Sequence, residues 1–287
     1  MDKEYEFLIR PNRNWAKVDF LELYAYRDLL WQLVYRDFNS RFKQTLLGPL
    51  WYIISPLLTT GVFVLVFGHV MGVTPSGVPA LLFYNSGLIA WSYFSNVLLS
   101  TGNSLQGNIH LFGKVYFPRL IVPIAQVFSN MIGFFIQLLT FGILLIYVWK
   151  TDPNIKNLQF GVQLLWLPVL VAHIACLALG IGLAVSALTA KYRDMQNALG
   201  FVVSTLMYIT PVMWPLARIE AKFPQYCGLF VLFNPLVGIV EAFRCALIGV
   251  GSFKFSYYAI SVLTSVLVLI FGVALFQRAA RSFVDQA

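Results

Sequence analysis

Five stretches of this chain, at residues 50–70, 80–101, 120–149, 160–189 and 256–276, contain no aspartate, glutamate, lysine or arginine. Each is long enough to cross the hydrocarbon core of a bilayer as an α-helix, which takes about 20 residues. The runs are continuously apolar rather than alternating, which argues against strands of a β-barrel. Charged residues make up 11% of the chain, against roughly 25% in a soluble domain. The class that follows is an all-α membrane protein that crosses the bilayer repeatedly.

A sixth crossing is built differently. Lys191, Arg193 and Asp194 form a charged cluster, an uncharged run follows, and breaks come at Thr210-Pro211 and Trp214-Pro215. This pattern predicts a short helix that rises from the cytoplasmic surface and ends early in a kinked, aromatic-rich turn. Beyond it the chain is apolar up to Gly251 but interrupted by Asn234-Pro235. Two short re-entrant helices, at residues 226–233 and 236–249, are expected on the outer side, with Glu241 and Arg244 three apart and able to pair. A seven-crossing alternative would place both charges at depth, which is costly. A helix that stops short and hands over to irregular apolar backbone needs protein or a watery cavity around it, so this region is the first candidate for a pathway.

The rest of the chain frames those helices. Residues 1–19 read as a cytoplasmic tail with no cleavable signal peptide. From Phe20, Leu23, Tyr26, Leu30, Val34, Phe38 and Phe42 recur at steps of three and four, with Arg36, Arg41 and Lys43 elsewhere on the same helix. That predicts an amphipathic helix over 20–46, lying on the membrane face or packed on a soluble partner. Asp19 and Glu22 have capping-box-like spacing at its start. A transmembrane domain over 50–277 and a cytoplasmic tail over 278–287 follow. With six crossings and both termini inside, 14 of the 20 basic residues fall on the inner side, as the positive-inside rule requires. Residues 102–112 are expected to form a short helix shown to the cytoplasm, either a plain connection or an element on which a soluble motor pushes. Ala178, Gly182, Ser186 and Ala190, four apart, predict close packing against another helix of the same chain.

The chemistry absent from the sequence narrows function. There is no GxxxxGK[ST] phosphate loop. His69, His110 and His173 lack ligand spacing, and Cys176, Cys227 and Cys245 show no CxxC. No GxSxG elbow occurs. Glu241 is the one carboxylate inside the predicted membrane segments, which weakens a proton relay. No catalytic residue, metal, cofactor or nucleic-acid partner is expected, and the chain reads as a conduit without its own energy source. Aromatic residues are 16% of the chain. Some form interfacial belts; Trp51, Tyr52, Tyr208 and Trp214, beside helix ends and breaks, are candidates to line a channel, where flat rings stack on sugars without demanding one sequence of them.

Three pieces in order carry a resemblance over most of the chain: SRFKQTLLGPLWYIISPLL at 40–58, KYRDMQNALGFVVSTLMYITPVMWP at 191–215 and FNPLVGIVEAFRCALIG at 233–249. The chain resembles the membrane subunit of type-2 ABC exporters, in the branch that moves O antigens, capsules and teichoic acids. The resemblance implies a homodimer of six-crossing subunits in the bacterial inner membrane, with the channel between them. Two separate ABC ATPase subunits would bind ATP and magnesium, and a lipid-linked polysaccharide would be the cargo. It implies an interface helix over 20–46 and a coupling helix over 103–112, with Asn103, Gln106, Asn108, His110, Leu111 and Phe112 toward the ATPase. Residues 214–249 would be outer gate helices, with Pro211, Pro215, Asn234, Pro235, Glu241 and Arg244 forming the gate. Arg36, Arg41 or Lys43 would meet the lipid pyrophosphate. Rival readings are a type-2 exporter of a drug or peptide, a proton-driven lipid-glycan flippase, and a membrane-embedded glycosyltransferase or phosphotransferase.

Overall fold

The computed structural model describes residues 19–73, 77–112, 116–151, 162–192, 194–251 and 253–284, the last three without their side chains, and every regular element among them is helical. The tail before Asp19, Lys114, Arg193 and residues 152–161 lie outside the described residues. In order the helices are α1 (Phe20–Ala25), α2 (Arg27–Phe42), α3 (Trp51–Phe63), α4 (Ala80–Gly102), α5 (Ser104–Gly107), α6 (Ile109–Phe112), α7 (Ile121–Thr151), α8 (Leu167–Thr189), α9 (Met195–Ile209), α10 (Leu216–Lys222), α11 (Cys227–Phe233), α12 (Leu236–Ile248) and α13 (Phe255–Val284).

Among the described residues, four helical stretches are long and apolar enough to cross a membrane unaided: Gly48–Val70, Ile121–Thr151, Gln163–Thr189 and Phe255–Arg281. The first joins a 3₁₀ turn, α3 and a π-helical end at Val64–Val70. Helix α4 has the length, at 23 residues, or about 34 Å. Asn85, Ser86, Ser92, Ser95, Asn96 and Ser100 make it less apolar than those four. Its place explains the composition: 17 of its residues are buried, with α3, α7, α8 and α12 packed around it. Sheathed in protein, it can carry polar groups if they find partners. Asn85 donates to Thr60 at 3.1 Å and Ser86 to the Phe83 carbonyl at 2.9 Å.

The small-residue stripe in α8 packs inside the chain. Ala178 is fully buried, and a Cβ on Gly182 would fall within 1.7 Å of the Thr101 hydroxyl. Ser186 Oγ lies 3.1 Å from Ser104 Oγ. On the far side of α8, Gly180 and Gly272 let α13 approach to backbone contact: a Cβ on Gly272 would sit 2.0 Å from the Gly180 carbonyl oxygen. Close backbone approach of this kind is how membrane helices associate when lipid offers no hydrophobic drive.

Two expected helices are broken. The amphipathic helix over 20–46 is two helices, parted at Tyr26 (φ −94°, ψ 20°) and ending at Phe42. Both sides of the break meet one cluster, in which Leu33 and Val34 pack with Phe117, Ile121 and Val122 and Leu23 packs against them, and Leu23 also reaches a second, with Leu105, Leu183 and Phe276. Asp19 caps the start by accepting from Leu21 N at 3.0 Å and Glu22 N at 3.2 Å. The single helix expected over 102–112 is two turns, α5 and α6, interrupted at Asn108. There the Asn108 side chain donates to the Ser104 carbonyl at 3.1 Å, the local competition with backbone bonding that ends helices at asparagine.

The breaks at proline fall where the sequence places them. Thr210 leaves α9 with extended backbone before Pro211, since a residue preceding proline is pushed out of the helical region. The segment Pro224–Phe233 and helix α12 meet at 100° across Asn234-Pro235. Asn234 then donates to the Thr210 hydroxyl at 3.0 Å, tying one break to the other. Cys176, Cys227 and Cys245 are free thiols.

Candidate functional site

A cavity of about 500 Å³ opens where α2 ends and α3 begins, lined from five directions. Arg41, Phe42 and Thr45 come from the end of α2 and the turn after it, and Trp51, Tyr52, Ser55, Pro56 and Thr59 from α3. Leu88, Trp91, Ser92, Ser95 and Asn96 come from α4, Gln137 from α7 and Met207 from α9. Spacing explains the walls: Ser55 and Thr59 are four apart, and Ser92, Ser95 and Asn96 three and four apart, so each set faces one way from its helix.

Tyr52 is held from three sides. Its ring lies on Gly133, where a Cβ would come within 2.4 Å of Tyr52 Cε1. Phe42 meets it edge-on at 5.1 Å between centroids, and its hydroxyl accepts from Arg41 Nη1 at 2.8 Å. The same Arg41 nitrogen donates to Asn130 Oδ1 at 3.1 Å. Gln137, only 7% exposed, presents a carbonyl oxygen without a hydrogen-bond partner. A buried unpaired acceptor marks a place where a donor is wanted. The described lining thus combines aromatic rings with hydroxyl and amide groups, and Arg41 is its one charged side chain. Such a surface suits a ligand with apolar ring faces, many hydroxyls and an anionic group.

The other channel candidates lie elsewhere. Tyr208 is 65% exposed on α9, and the Trp214 indole turns back to donate to the Tyr208 carbonyl at 3.2 Å and packs 6.0 Å from Phe230. Neither lines the cavity; from α9, Met207 does.

The gate candidates gather around a buried ion pair. Arg244 is 0% exposed and its guanidinium carbon lies 3.9 Å from the centre of the Phe83 ring. Its Nη1 donates to Glu241 Oε1 at 3.2 Å and its Nη2 to the Val212 carbonyl at 2.5 Å. Glu241 Oε1 also accepts from Leu216 N at 3.4 Å. Gly87 makes room, since a Cβ there would be 2.8 Å from Arg244 Nη2. The pair therefore ties α12 to α4 and to both ends of the loop carrying Pro211 and Pro215. Pro211 is buried and Pro215 half-buried. Pro235 accepts from Ser261 at 2.5 Å, anchoring the second break to α13.

Of the coupling candidates, Gln106 donates to the Thr189 carbonyl at 2.5 Å and accepts from Gln196, linking α5 to the ends of α8 and α9. Asn103 Oδ1 is buried without a partner. Leu111 and Phe112 pack toward Leu33 and Val34, Phe112 stacks 5.6 Å from Phe117, and His110 is exposed. Of the headgroup candidates, Arg36 pairs with Asp37 at 2.7 Å and donates to Asn108 Oδ1 at 3.2 Å. Arg41 serves the cavity mouth, and Lys43 is exposed.

Sequence reasoning missed Trp91, Ser92, Ser95, Asn96 and Gln137. The signal was present in α4, whose polar groups recur at helical spacing inside a run otherwise long enough to cross a membrane.

Residues 28–248 match the family described as ABC-2 type transporter. The chain is 27% identical over 227 residues to an O-antigen export system permease protein, RfbA, of Myxococcus xanthus, covering 78% of this chain and 81% of that one. A protein of the same name from Klebsiella pneumoniae is 24% identical over 259 residues, 90% of this chain and 94% of its own. The polysialic acid transport protein KpsM of Escherichia coli is 28% identical over 213 residues, 74% and 78% of the two chains. With its membrane-length helices, its segment bent at Asn234-Pro235 and a family match that runs from α2 through the end of α12, the chain belongs to the ABC-2 type transporters.

Proposed function

We propose that this chain is the membrane subunit of an ATP-driven exporter of a lipid-linked polysaccharide, O antigen by preference, in a bacterial inner membrane. The observation that carries the reading is the cavity: aromatic walls, neutral hydroxyl and amide groups and one arginine, in a chain whose relatives are named for O-antigen export and polysialic acid transport. The cargo's sugars would stack on Trp51, Tyr52 and Trp91, Gln137 would accept from a hydroxyl, and Arg41 would meet the phosphate end. The chain crosses the membrane six times in this reading, through α3, α4, α7, α8, α9 and α13, with α11 and α12 re-entrant and both termini cytoplasmic.

A second copy completes the path. Helix α9 exposes Gln196, Asn197, Ser204 and Thr205 together with Phe201, Val202 and Tyr208. Ser204 and Thr205 already return their hydroxyls to the Phe201 carbonyl and Gln196 bonds Gln106, and a homodimer with the channel along α3 and α9 would set the rest of this mixed face against water and protein. Two ATPase subunits, holding ATP and magnesium, dock at residues 103–112 and drive transport. Trp51→Ala and Gln137→Leu are expected to lower export of lipid-linked glycan several-fold at unchanged protein levels, with Trp51→Phe close to wild type. Export is followed in vesicles containing the chain and its ATPase. Transport of a peptide or drug by these vesicles, with surface glycan intact in cells lacking the protein, would refute the reading.

A further inference from the structure

Helices α2 and α7 are joined by two polar rungs at matched spacing. Asp37 and Arg41 are four apart on α2, and Gln126 and Asn130 four apart on α7. Gln126 Nε2 donates to Asp37 Oδ2 at 2.8 Å, and Arg41 Nη1 donates to Asn130 Oδ1 at 3.1 Å. Each rung continues at its outer end. Asp37 Oδ1 accepts from Arg36 Nη2 at 2.7 Å, and the same nitrogen donates to Asn108 Oδ1 at 3.2 Å, in the gap between α5 and α6. Arg41 Nη1 donates to Tyr52 at the cavity mouth at 2.8 Å. The rungs meet at the backbone of α7, because Asn130 Nδ2 donates to the main-chain carbonyl of Gln126 at 2.7 Å.

We propose that Asp37, Gln126 and Asn130 are positioning residues, a ladder through which the turns at 104–112 and the Arg41 side chain at the cavity mouth sense one another.

Asn130 is the reason the ladder does more than fasten two helices. It is 4% exposed and makes three side-chain hydrogen bonds: its oxygen accepts from Arg41, and both its N–H groups are used, on the Ser100 hydroxyl at 2.9 Å and the backbone carbonyl of Gln126. A node so filled cannot give up one partner without stranding a buried polar atom. If Arg41 turns toward an anion in the cavity, the Asn130 oxygen is stranded and the node must rearrange. The rearrangement passes to Gln126, then to Asp37 and Arg36, and so to Asn108. The receiving end is built to respond, for α5 and α6 are single turns parted at Asn108. Coupling of this kind is reciprocal: a partner that reorders the turns changes the freedom of Arg41. The ladder rests on the export reading only for the identity of the anion.

The test uses the purified full-length protein in lipid nanodiscs, with no glycan and no ATPase, and measures amide hydrogen exchange in residues 104–112. Arg41→Ala, at the far end of the chain of bonds, is expected to raise exchange there about tenfold. Gln126→Asn, which keeps a polar group but is too short to reach Asp37, is expected to do the same, as is Asn130→Leu. The Arg41→Ala/Gln126→Asn double variant is expected to match the larger single effect, because the two act in series. Thr59→Ala, in the cavity wall but off the ladder, should leave the turns unchanged. Arg41→Ala effects confined to residues 37–52, or single effects that multiply in the double variant, would overturn the proposal. Because neither cargo nor motor is present, that failure leaves the export reading standing. Conversely, vesicles that fail to export glycan while the turns still respond to Arg41→Ala would refute the reading and leave the ladder.

Discussion

The buried Glu241–Arg244 pair offers the sharpest perturbation. Replacing Arg244 with Met removes a guanidinium that is 0% exposed, its 3.2 Å contact to Glu241, its 2.5 Å bond to the Val212 carbonyl and its position 3.9 Å over the Phe83 ring. At an effective dielectric of about 20, two unit charges 3.2 Å apart attract by about 5 kcal/mol. Much of that was offset by desolvating the arginine, a cost that disappears with it. The remaining carboxylate stays behind in a site built for a cation, and breaking such a pair from one side costs about 3–5 kcal/mol. The loss is therefore set by the stranded partner more than by the missing contact. It follows that Glu241→Gln/Arg244→Met, which removes the stranded charge and leaves an acceptor for Leu216 N, should be more stable than Arg244→Met alone by about 1–3 kcal/mol. The measurement is reversible unfolding in mixed detergent micelles, taken around a double-mutant cycle. An Arg244→Met loss below about 1 kcal/mol, or a double variant no better than the single, would refute the assignment of the pair as a buried tie.

Two other consequences are equally direct. Gly133→Ala puts a methyl 2.4 Å from the Tyr52 ring, which Phe42 and Arg41 hold in place; overpacking of about 1–3 kcal/mol is expected, with Tyr52 driven into the cavity and glycan export reduced, whereas Gly142→Ala, with open space at its Cβ, should be neutral in both unfolding and export assays. His110→Asp, on the exposed side of α6, is expected to abolish co-purification of the ATPase while leaving membrane insertion and monodispersity unchanged; retained co-purification would remove residues 103–112 from the docking surface.

How much of this was legible in the sequence depends on whether a feature is local. The stop at Thr210-Pro211, the bend at Asn234-Pro235 and the three-residue spacing of Glu241 and Arg244 are consequences of neighbouring residues, and the structure places each where the chain order does. The placement of Trp51 and Tyr52 at a helix start likewise follows from Pro49 and the run after it. What could not be read is partnership between distant residues. Asp37 with Gln126 and Arg41 with Asn130 are each 89 positions apart, and nothing in either helix alone says that two polar stripes of equal spacing will meet. The break at Tyr26 is of the same kind, because Leu23 before it meets two clusters built from distant residues. Leu111 shows the practical consequence: from sequence it is an apt docking probe, yet it packs against the α2 cluster, so an acidic substitution there would confound docking with folding, and His110 is the better choice.

Burial also separates what stays fixed from what can move. Helix α4 is buried over most of its length, α8 and α13 are in backbone contact at Gly180 and Gly272, and α12 is tied to α4 through Arg244. These elements have little freedom to shift without opening voids or stranding charge. Helices α3 and α9 are different: Thr60 and Phe63 are the buried residues of the one, Leu199 and Val203 of the other. They are also the helices that the export reading sets along the channel, and each is attached to the ladder or the turns at its N-terminal end, α3 through Tyr52 and α9 through Gln196. A motor acting on residues 104–112 would meet α9 directly through Gln106 and Gln196 and α3 through the ladder, while α8, bonded to the same turns at Ser186 and Thr189, provides the rigid surface against which a displacement is felt. The arrangement works only if displacement at the turns reaches Tyr52 and Gln196 before it is absorbed in α1 and α2, and the exchange response of the turns to Arg41→Ala measures that same path from the opposite end.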